Sequence, residues 1–176
     1  MTKAKAYARR IPAVLDIETR VTSDHHQSLR VWLRLLACSS LIGNHVRQRL
    51  QSQFGITLPR FDLMAQLERA PEGLKMGELT RRLMVTGGNV TGITDALEAE
   101  GLVLRETDPT DQRAFRVKLT KAGEQQFRRM AIEHERWVVE LFEDLTAKQK
   151  TLLADLLKSL KASAALRLLA GGGPRT

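Results

Sequence analysis

The chain has 176 residues, of which 43% are hydrophobic, and this is enough for one globular domain with a sizeable core. A single cysteine, Cys38, excludes an internal disulfide and suits a reducing cytoplasm. No apolar run is long enough to span a bilayer, and the formal net charge of +8 favours a polyanionic partner.

The positive charge is unevenly distributed along the chain. Residues 1–55 carry nine basic and three acidic side chains, whereas residues 75–118 carry seven of each. Residues 1–23 show no clean hydrophobic period, so we interpret them as a basic N-terminal arm. The arm either packs on a partner subunit or is a solvated tail, and both interpretations stay open.

Two helices are predicted before residue 71. Residues 24–54 have a broad apolar stripe that must pack on more than one neighbour, and Gly55 is expected to end this helix. Residues 56–70 restart a helix with Pro59 near its first turn, where proline is favoured. The side chains expected to face inward are those of Leu63, Met64 and Leu67.

A helix-turn-helix is predicted next, from a helix over 76–84 and a second one from about 87 to Gly101. The second helix has an apolar stripe at a period of three and four residues, formed by Val90, Ile93 and Leu97. Each interior glycine costs roughly 1 kcal/mol of helix stability, so Gly88 and Gly92 on its opposite face need a reason. We expect them to allow close approach of the backbone to another surface.

The following residues predict a β-hairpin. Residues 102–107 and 114–120 have strand character, and the DPTDQR turn over 108–113 separates them. Arg113 at the tip is suited to a DNA minor groove, and Asp108 or Asp111 is expected to hold it in a bidentate pair. A helix followed by a hairpin with basic edges is typical of a winged helix.

Two further helices are predicted over 120–145 and 147–169, and residues 171–176 form a flexible tail. Their apolar residues exceed what a small winged domain can cover, which favours burial against a second copy in a C2 dimer. The predicted fold is therefore mainly α with a small β-hairpin wing. A winged helix-turn-helix (75–119) is flanked by a helical dimerisation region (24–74 and 120–170).

The segment from Gly77 to Gly123 resembles the MarR family of bacterial transcriptional regulators. The likeness rests on the helix-turn-helix, the motif LEAEGLV, the DPTDQR wing and the motif VKLTKAG, and it covers roughly residues 29–165. It implies an obligate homodimer that binds pseudo-palindromic double-stranded DNA. Each recognition helix would enter a major groove, and each wing arginine a minor groove.

The resemblance assigns the expected DNA contacts. Base contacts are expected from Asn89, Thr91 and Thr94, and the wing contact from Arg113. The other expected DNA-binding residues are Arg81, Arg82, Thr86, Gly88 and Arg116.

Most relatives are repressors released by a small molecule that binds where the dimerisation helices meet the winged domain. The stretch from Leu58 to Gly92 is similar to members that control aromatic-acid breakdown, including those that sense hydroxycinnamates or their CoA thioesters. This implies a repressor of aromatic-compound degradation genes. The expected pocket residues are Trp32, Arg34, Cys38, Arg60, Phe61 and Met64. For each of them, core packing or a surface ion pair is an equal alternative.

Two other functions stay open at this point. Some relatives sense peroxides through a cysteine on the first helix, but a gap-free alignment places that cysteine at Leu33 and not at Cys38. A winged-helix interaction module without DNA binding is the second alternative. The sequence has no glycine-rich phosphate loop, metal-ligand spacing or Ser/Cys–His arrangement, so we expect no enzyme, no metal and no cofactor.

Overall fold

The computed structural model describes residues 27–83 and 87–171. The described residues up to Trp137 belong to one compact unit, and residues 138–171 belong to a second. The predicted arm over 1–23, the expected DNA contact Thr86 and the tail beyond Gly171 lie outside the described residues. Within the described ranges, no helix is long and apolar enough to cross a membrane.

Helices α1 (Gln27–Phe54) and α2 (Leu58–Glu68) meet at a corner made by Gly55. Gly55 has a φ of 64°, a left-handed conformation that favours glycine, and this confirms the predicted end of α1. Pro59 lies in the first turn of α2 as expected. The predicted inward face of α2 is also confirmed, since Leu63, Met64 and Leu67 are buried.

The helix-turn-helix consists of α3 (Met76–Leu83) and α4 (Gly87–Ala99). The predicted apolar stripe of α4 faces the core, because Val90 and Leu97 are buried and Ile93 packs against the same cluster. Helix α4 ends as expected at Gly101, whose φ is 70°. The amide of Leu102 then donates to the carbonyl of Leu97 at 2.9 Å and closes the helix end.

The wing is a three-stranded antiparallel sheet in the order β1-β3-β2. Strands β2 (Val103–Asp108) and β3 (Asp111–Leu119) form the predicted hairpin, but only Pro109 and Thr110 separate them. Strand β1 (Leu74–Lys75) pairs with β3 and was not predicted. Two residues are too few to show a strand period, so the sequence around them indicated only a break.

Helix α5 (Lys121–Leu141) begins at the predicted cap, Thr120. The Thr120 hydroxyl accepts the amide of Gly123 at 3.0 Å and donates to the carbonyl of Gly101 at 2.7 Å. The helix ends four residues before the predicted boundary at 145, and residues 142–144 form a turn. Helix α6 (Ala147–Gly171) follows, and Thr146 and Gln149 form a reciprocal capping box at its start.

One core lies inside the first compact unit, and every helix of that unit contributes to it. Fully buried members from successive elements are Leu50, Leu63, Leu79, Leu97, Val117 and Met130. Most of α5 therefore belongs to the same unit as the helix-turn-helix. The unit extends beyond the boundary at 119/120 that the sequence suggested.

Gly123 is expected to be essential for stability. A Cβ at this position would lie 2.0 Å from the carbonyl oxygen of Leu102, so α5 would have to move away from the end of α4. We expect Gly123→Ala to lower the free energy of unfolding by about 3 kcal/mol, the upper range for overpacking. Chemical denaturation measures this value.

Gly92→Ala is the matched control, because an added Cβ there meets no heavy atom within 4 Å. Alanine is better than glycine inside a helix by about 1 kcal/mol, so this variant should be slightly more stable. Equal stability of the two variants would contradict the packing role of Gly123.

Candidate DNA interface and effector pocket

Helix α4 presents a small and uncharged face to solvent. Asn89, Thr91 and Gly92 are exposed, and Gly88 lies in the first turn of the same helix. An added Cβ on Gly92 would meet no heavy atom of the described residues within 4 Å, so the described part of the fold does not require glycine there. The face is therefore open to close approach by another molecule, as the sequence suggested.

Thr94 corrects the expected set of base contacts. Its side chain is fully buried, and its hydroxyl donates to the carbonyl of Val90 at 2.8 Å. A hydroxyl in that position does not reach a base. Thr94 follows Val90 by four residues and precedes Leu97 by three, so its place on the buried stripe was readable from the spacing.

The acids on the second half of α4 are neutralised by the wing. The Arg105 guanidinium of β2 binds Asp95 at 2.5 Å and also binds Glu98. The backbone amide of Arg105 donates to Glu98 at 3.2 Å. The hydrogen bond that Arg105 donates to Asp95 raises the pKa of Arg105, so this clamp stays charged. It fastens α4 to β2 and reduces the repulsion that two free carboxylates would exert on a polyanion.

A buried carboxylate at the tip of β2 holds the wing turn. Asp108 accepts the amide of Thr110 at 2.9 Å and its hydroxyl at 2.5 Å, and on the other oxygen it accepts Arg116 at 2.6 Å. Lys75 of β1 lies 3.4 Å from the same oxygen. The Thr110 hydroxyl, followed by Arg116, holds the pKa of Asp108 well below its usual range, although burial acts in the opposite direction.

Arg116 therefore has an internal role in this structure, and its expected contact with DNA stays a prediction. Besides Asp108, it donates to the carbonyl of Gly73 at 3.5 Å. Gly73 has a φ of 79°, and a Cβ there would lie 2.9 Å from the carbonyl oxygen of Val117. The hydrogen bond from Arg116 and the close packing of Gly73 together hold the loop at Gly73, which precedes β1 and α3, against β3.

Among the described residues of the segment 75–118, two arginines are left without an acidic partner. Arg82 binds Glu78 at 2.5 Å and Lys118 binds Glu106 at 2.8 Å. In the described part of the chain, the guanidinium groups of Arg81 and Arg113 have no ion pair. Neither Asp108 nor Asp111 holds the Arg113 guanidinium as expected, because Asp111 accepts only the Arg113 backbone amide, at 3.1 Å.

Arg81 and Arg113 line the same cleft of about 520 Å³ between α3 and the wing, which we call the wing cleft. The structure thus brings together two of the expected DNA contacts. Arg82 is separated from them and lines a different pocket, which α2 and α5 complete.

This second pocket, the α2–α5 pocket, has a volume of about 380 Å³. Such a volume suits a small aromatic molecule. Its aromatic wall is formed by Phe61 with Phe127 at 5.4 Å and His134 at 5.0 Å between ring centroids. The full lining comprises Phe61, Asp62, Ala65, Gln66, Arg69, Arg82, Leu83, Phe127, Ala131 and His134.

Of the six side chains expected to bind a ligand, the α2–α5 pocket includes Phe61 alone. Arg60 binds Glu100, and Met64 is fully buried in the core. Trp32, Arg34 and Cys38 are exposed on α1 and are not brought to this pocket.

The pocket residues that the sequence interpretation missed do recur at helical spacing in the sequence. Phe127, Ala131 and His134 recur at four and three residues on one face of α5, and Asp62, Gln66 and Arg69 do so on α2. The sequence did not show that these two faces meet.

The α2–α5 pocket contains one carboxylate, one histidine and two arginines. Burial raises the pKa of Asp62, although a charged His134 would lower it. Burial lowers the pKa of His134, although Asp62 acts in the opposite direction. Arg69 and Arg82 supply positive charge at the rim. In the described ranges, no group of three His, Cys, Asp or Glu side chains is placed to hold a metal ion.

Asp62→Asn should stabilise the protein in a pH-dependent way. Because the folded-state pKa of Asp62 is raised, its contribution to stability is present at low pH and is lost as the pH rises through that pKa. Asparagine stays neutral, so the variant should gain in melting temperature over the wild type at about pH 7 but hardly at about pH 4. Thermal denaturation in a pH series measures this.

A difference between Asp62→Asn and the wild type that stays constant with pH would mean that the fold does not disfavour the Asp62 carboxylate.

Comparison with known proteins identifies the fold and the family. The MarR family model matches residues 56–115. A MarR family transcriptional regulator from Silicibacter pomeroyi is 33% identical, with a TM-score of 0.69 over 81% of this chain and 99% of that one. Sco3205 from Streptomyces coelicolor, a MarR family regulator solved in complex with DNA, is 26% identical, with a TM-score of 0.71 over 81% and 90%.

Two sequence relatives extend the comparison. YdgJ of Bacillus subtilis, an uncharacterised HTH-type transcriptional regulator, is 29% identical over 61% of this chain, and the match spans 65% of its own length. The transcriptional activatory protein BadR of Rhodopseudomonas palustris is 29% identical over 53% of this chain and 54% of its length. The chain thus spans between about half and two thirds of these relatives. Because its structure and sequence match a MarR family regulator over nearly all of that protein, the chain belongs to the MarR family of transcriptional regulators.

Proposed function

We propose that the chain is a homodimeric repressor that binds pseudo-palindromic double-stranded DNA and is released by an aromatic acid or its CoA thioester. The DNA-binding part of the proposal rests on one observation. The first half of α4 exposes uncharged side chains, and Arg105 neutralises Asp95 and Glu98 in its second half. This helix lies in one unit with a wing that carries Arg113. The DNA complex of Sco3205 shows DNA binding for a protein with the same fold.

Exposed apolar faces support the homodimer. On α6, leucines recur at three and four residues and are exposed in the single chain, for example Leu152 at 60% and Leu156 at 59%. On α1, Trp32 and Leu36 are also exposed. Apolar surface of this extent marks an interaction site, and a second copy related by a two-fold axis is the simplest partner.

The α2–α5 pocket supports the effector. Its rings suit an aromatic acid, and Arg69 or Arg82 suits the carboxylate. Arg82 and Leu83 belong to α3, the first helix of the helix-turn-helix, so a ligand that draws them inward also acts on the DNA-reading elements. Release requires the ligand to bind more tightly to the conformation that does not bind DNA than to the one that does. Equal affinities for the two conformations would not shift the equilibrium between them.

Removal of the Arg105 clamp should weaken DNA binding. A duplex selected by the wild type from a random-sequence pool should contain two half-sites about one helical turn apart. Arg105→Gln frees the carboxylates of Asp95 and Glu98 beside the DNA, and we expect a Kd at least about tenfold higher because like charges repel. Fluorescence anisotropy with that duplex measures the Kd.

The triple variant Asp95→Asn, Glu98→Gln, Arg105→Gln removes the freed charges and should recover most of the affinity. Arg128→Gln, which removes an exposed arginine of α5, should change the Kd less than about twofold. The proposed function itself would be refuted if the wild type selected no duplex at low salt while sedimentation showed that it was a dimer.

Hydroxycinnamates or their CoA thioesters should release the selected duplex. Asp62→Asn should tighten binding of the free acid at neutral pH, because a negative charge is removed from the α2–α5 pocket. Arg69→Gln should weaken it about tenfold, the loss of one charge-assisted hydrogen bond. Isothermal titration calorimetry without DNA measures both changes.

Met64→Leu, a volume-conserving change in the buried core, is the control and should leave ligand affinity unchanged. If no hydroxycinnamate or CoA thioester weakens DNA binding, the proposed effector class is wrong, but the proposed DNA binding stands. A ligand that strengthens binding or raises transcription would point to an activator, as the name of BadR states for that relative.

A further inference from the structure

Phe115 is an exposed aromatic residue on the wing. Arg113, Phe115 and Val117 share one face of β3, because side chains alternate along a strand. Val117 on that face is fully buried, but Phe115 is 52% exposed. Its cross-strand partner is the exposed Thr107, so no aromatic or aliphatic neighbour on β2 covers the ring.

The wing cleft brings this ring together with two positively charged side chains. Phe115 lines it with Met76, Arg81 and Arg113, and the guanidinium groups of the two arginines have no acidic partner in the described part of the chain. The other basic residues of the cleft, Lys75 and Arg105, are already paired with Asp108 and with the acids of α4. Glu78, which also lines the cleft, is paired with Arg82. The cleft therefore suits an occupant that carries both negative charge and apolar surface.

The backbone of duplex DNA has both features, since each apolar deoxyribose lies between two phosphates. We propose that the wing cleft holds the backbone of one DNA strand, with a phosphate at Arg81, a deoxyribose packed on the Phe115 ring and Arg113 directed into the adjacent minor groove. This inference rests on the proposed DNA binding and adds Phe115 as a positioning contact. Phe115 thereby contributes affinity that depends neither on salt nor on sequence.

The two kinds of contact predict different salt behaviour. Each phosphate contact releases a counterion, so Arg81→Gln should lower the slope of log Kd against log salt by about one. Phe115 carries no charge, so Phe115→Ala should raise Kd about tenfold at every salt concentration and leave the slope unchanged. Phe115→Leu keeps apolar contact and should lose no more than about threefold.

The sequence independence is tested with a second probe. Phe115→Ala should weaken binding to an unrelated duplex of equal length by the same factor as to the selected duplex, because deoxyribose is common to all sequences. Melting temperature and sedimentation of Phe115→Ala should match the wild type, since the ring is half-exposed and not part of the core.

An unchanged Kd for Phe115→Ala, with Arg81→Gln behaving as stated, would overturn the inference but not the DNA binding. A changed salt slope, a loss confined to the selected duplex or a dissociated dimer in Phe115→Ala would also overturn it. So would an aromatic carboxylate that binds the wild type but not Phe115→Ala in the absence of DNA while DNA affinity is unchanged. Absence of DNA binding by the wild type would reject the proposed function instead.

Discussion

The proposed DNA-binding surface has no net charge, and internal ion pairing determines which of its charges remain available to a polyanion. Residues 75–118 carry seven basic and seven acidic side chains. The structure pairs the acids of α4 with Arg105 and the wing carboxylate Asp108 with Arg116 and Lys75. Among the described residues of this segment, Arg81 and Arg113 at the wing cleft have no acidic partner, and Asp111 has no basic side-chain partner. The proposed DNA binding therefore relies on individual arginines and not on a net positive charge of residues 75–118. It depends on the shape of the surface and on the neutralised acids of α4.

The same pairs connect the elements that would have to act together. Arg105 ties α4 to β2, and Asp108 ties the wing turn to β1, the strand directly before α3. Gly123 allows α5 to approach the end of α4 so closely that a Cβ does not fit. Movement of α5 or α2 around the α2–α5 pocket therefore acts on tightly packed neighbours, and packed interiors transmit such strain.

Strong local signals made most of the fold predictable. The apolar stripe of α4, the ends at Gly55 and Gly101, the Thr120 cap and the wing hairpin all follow from spacing or from residue conformation. The two-residue strand β1 and the early end of α5 depend on long-range pairing and packing, which leave little local pattern. The base contact predicted for Thr94 is wrong for a different reason. The prediction followed from the hydrogen-bonding capacity of its hydroxyl, whereas its position on the apolar stripe of α4 buries it.

The sequence by itself determined the order of helices and strands, the family resemblance and the zero net charge of residues 75–118. Each of these is a property of residues that lie close together in the chain. Tertiary structure decided which charges remain available and which side chains form a pocket. Arg113 and Arg116 are equivalent by composition, yet strand alternation places one in the wing cleft and directs the other to a buried carboxylate. Phe61 and His134 are 73 positions apart in the sequence, and only the packing of α2 against α5 brings their rings to 5.0 Å.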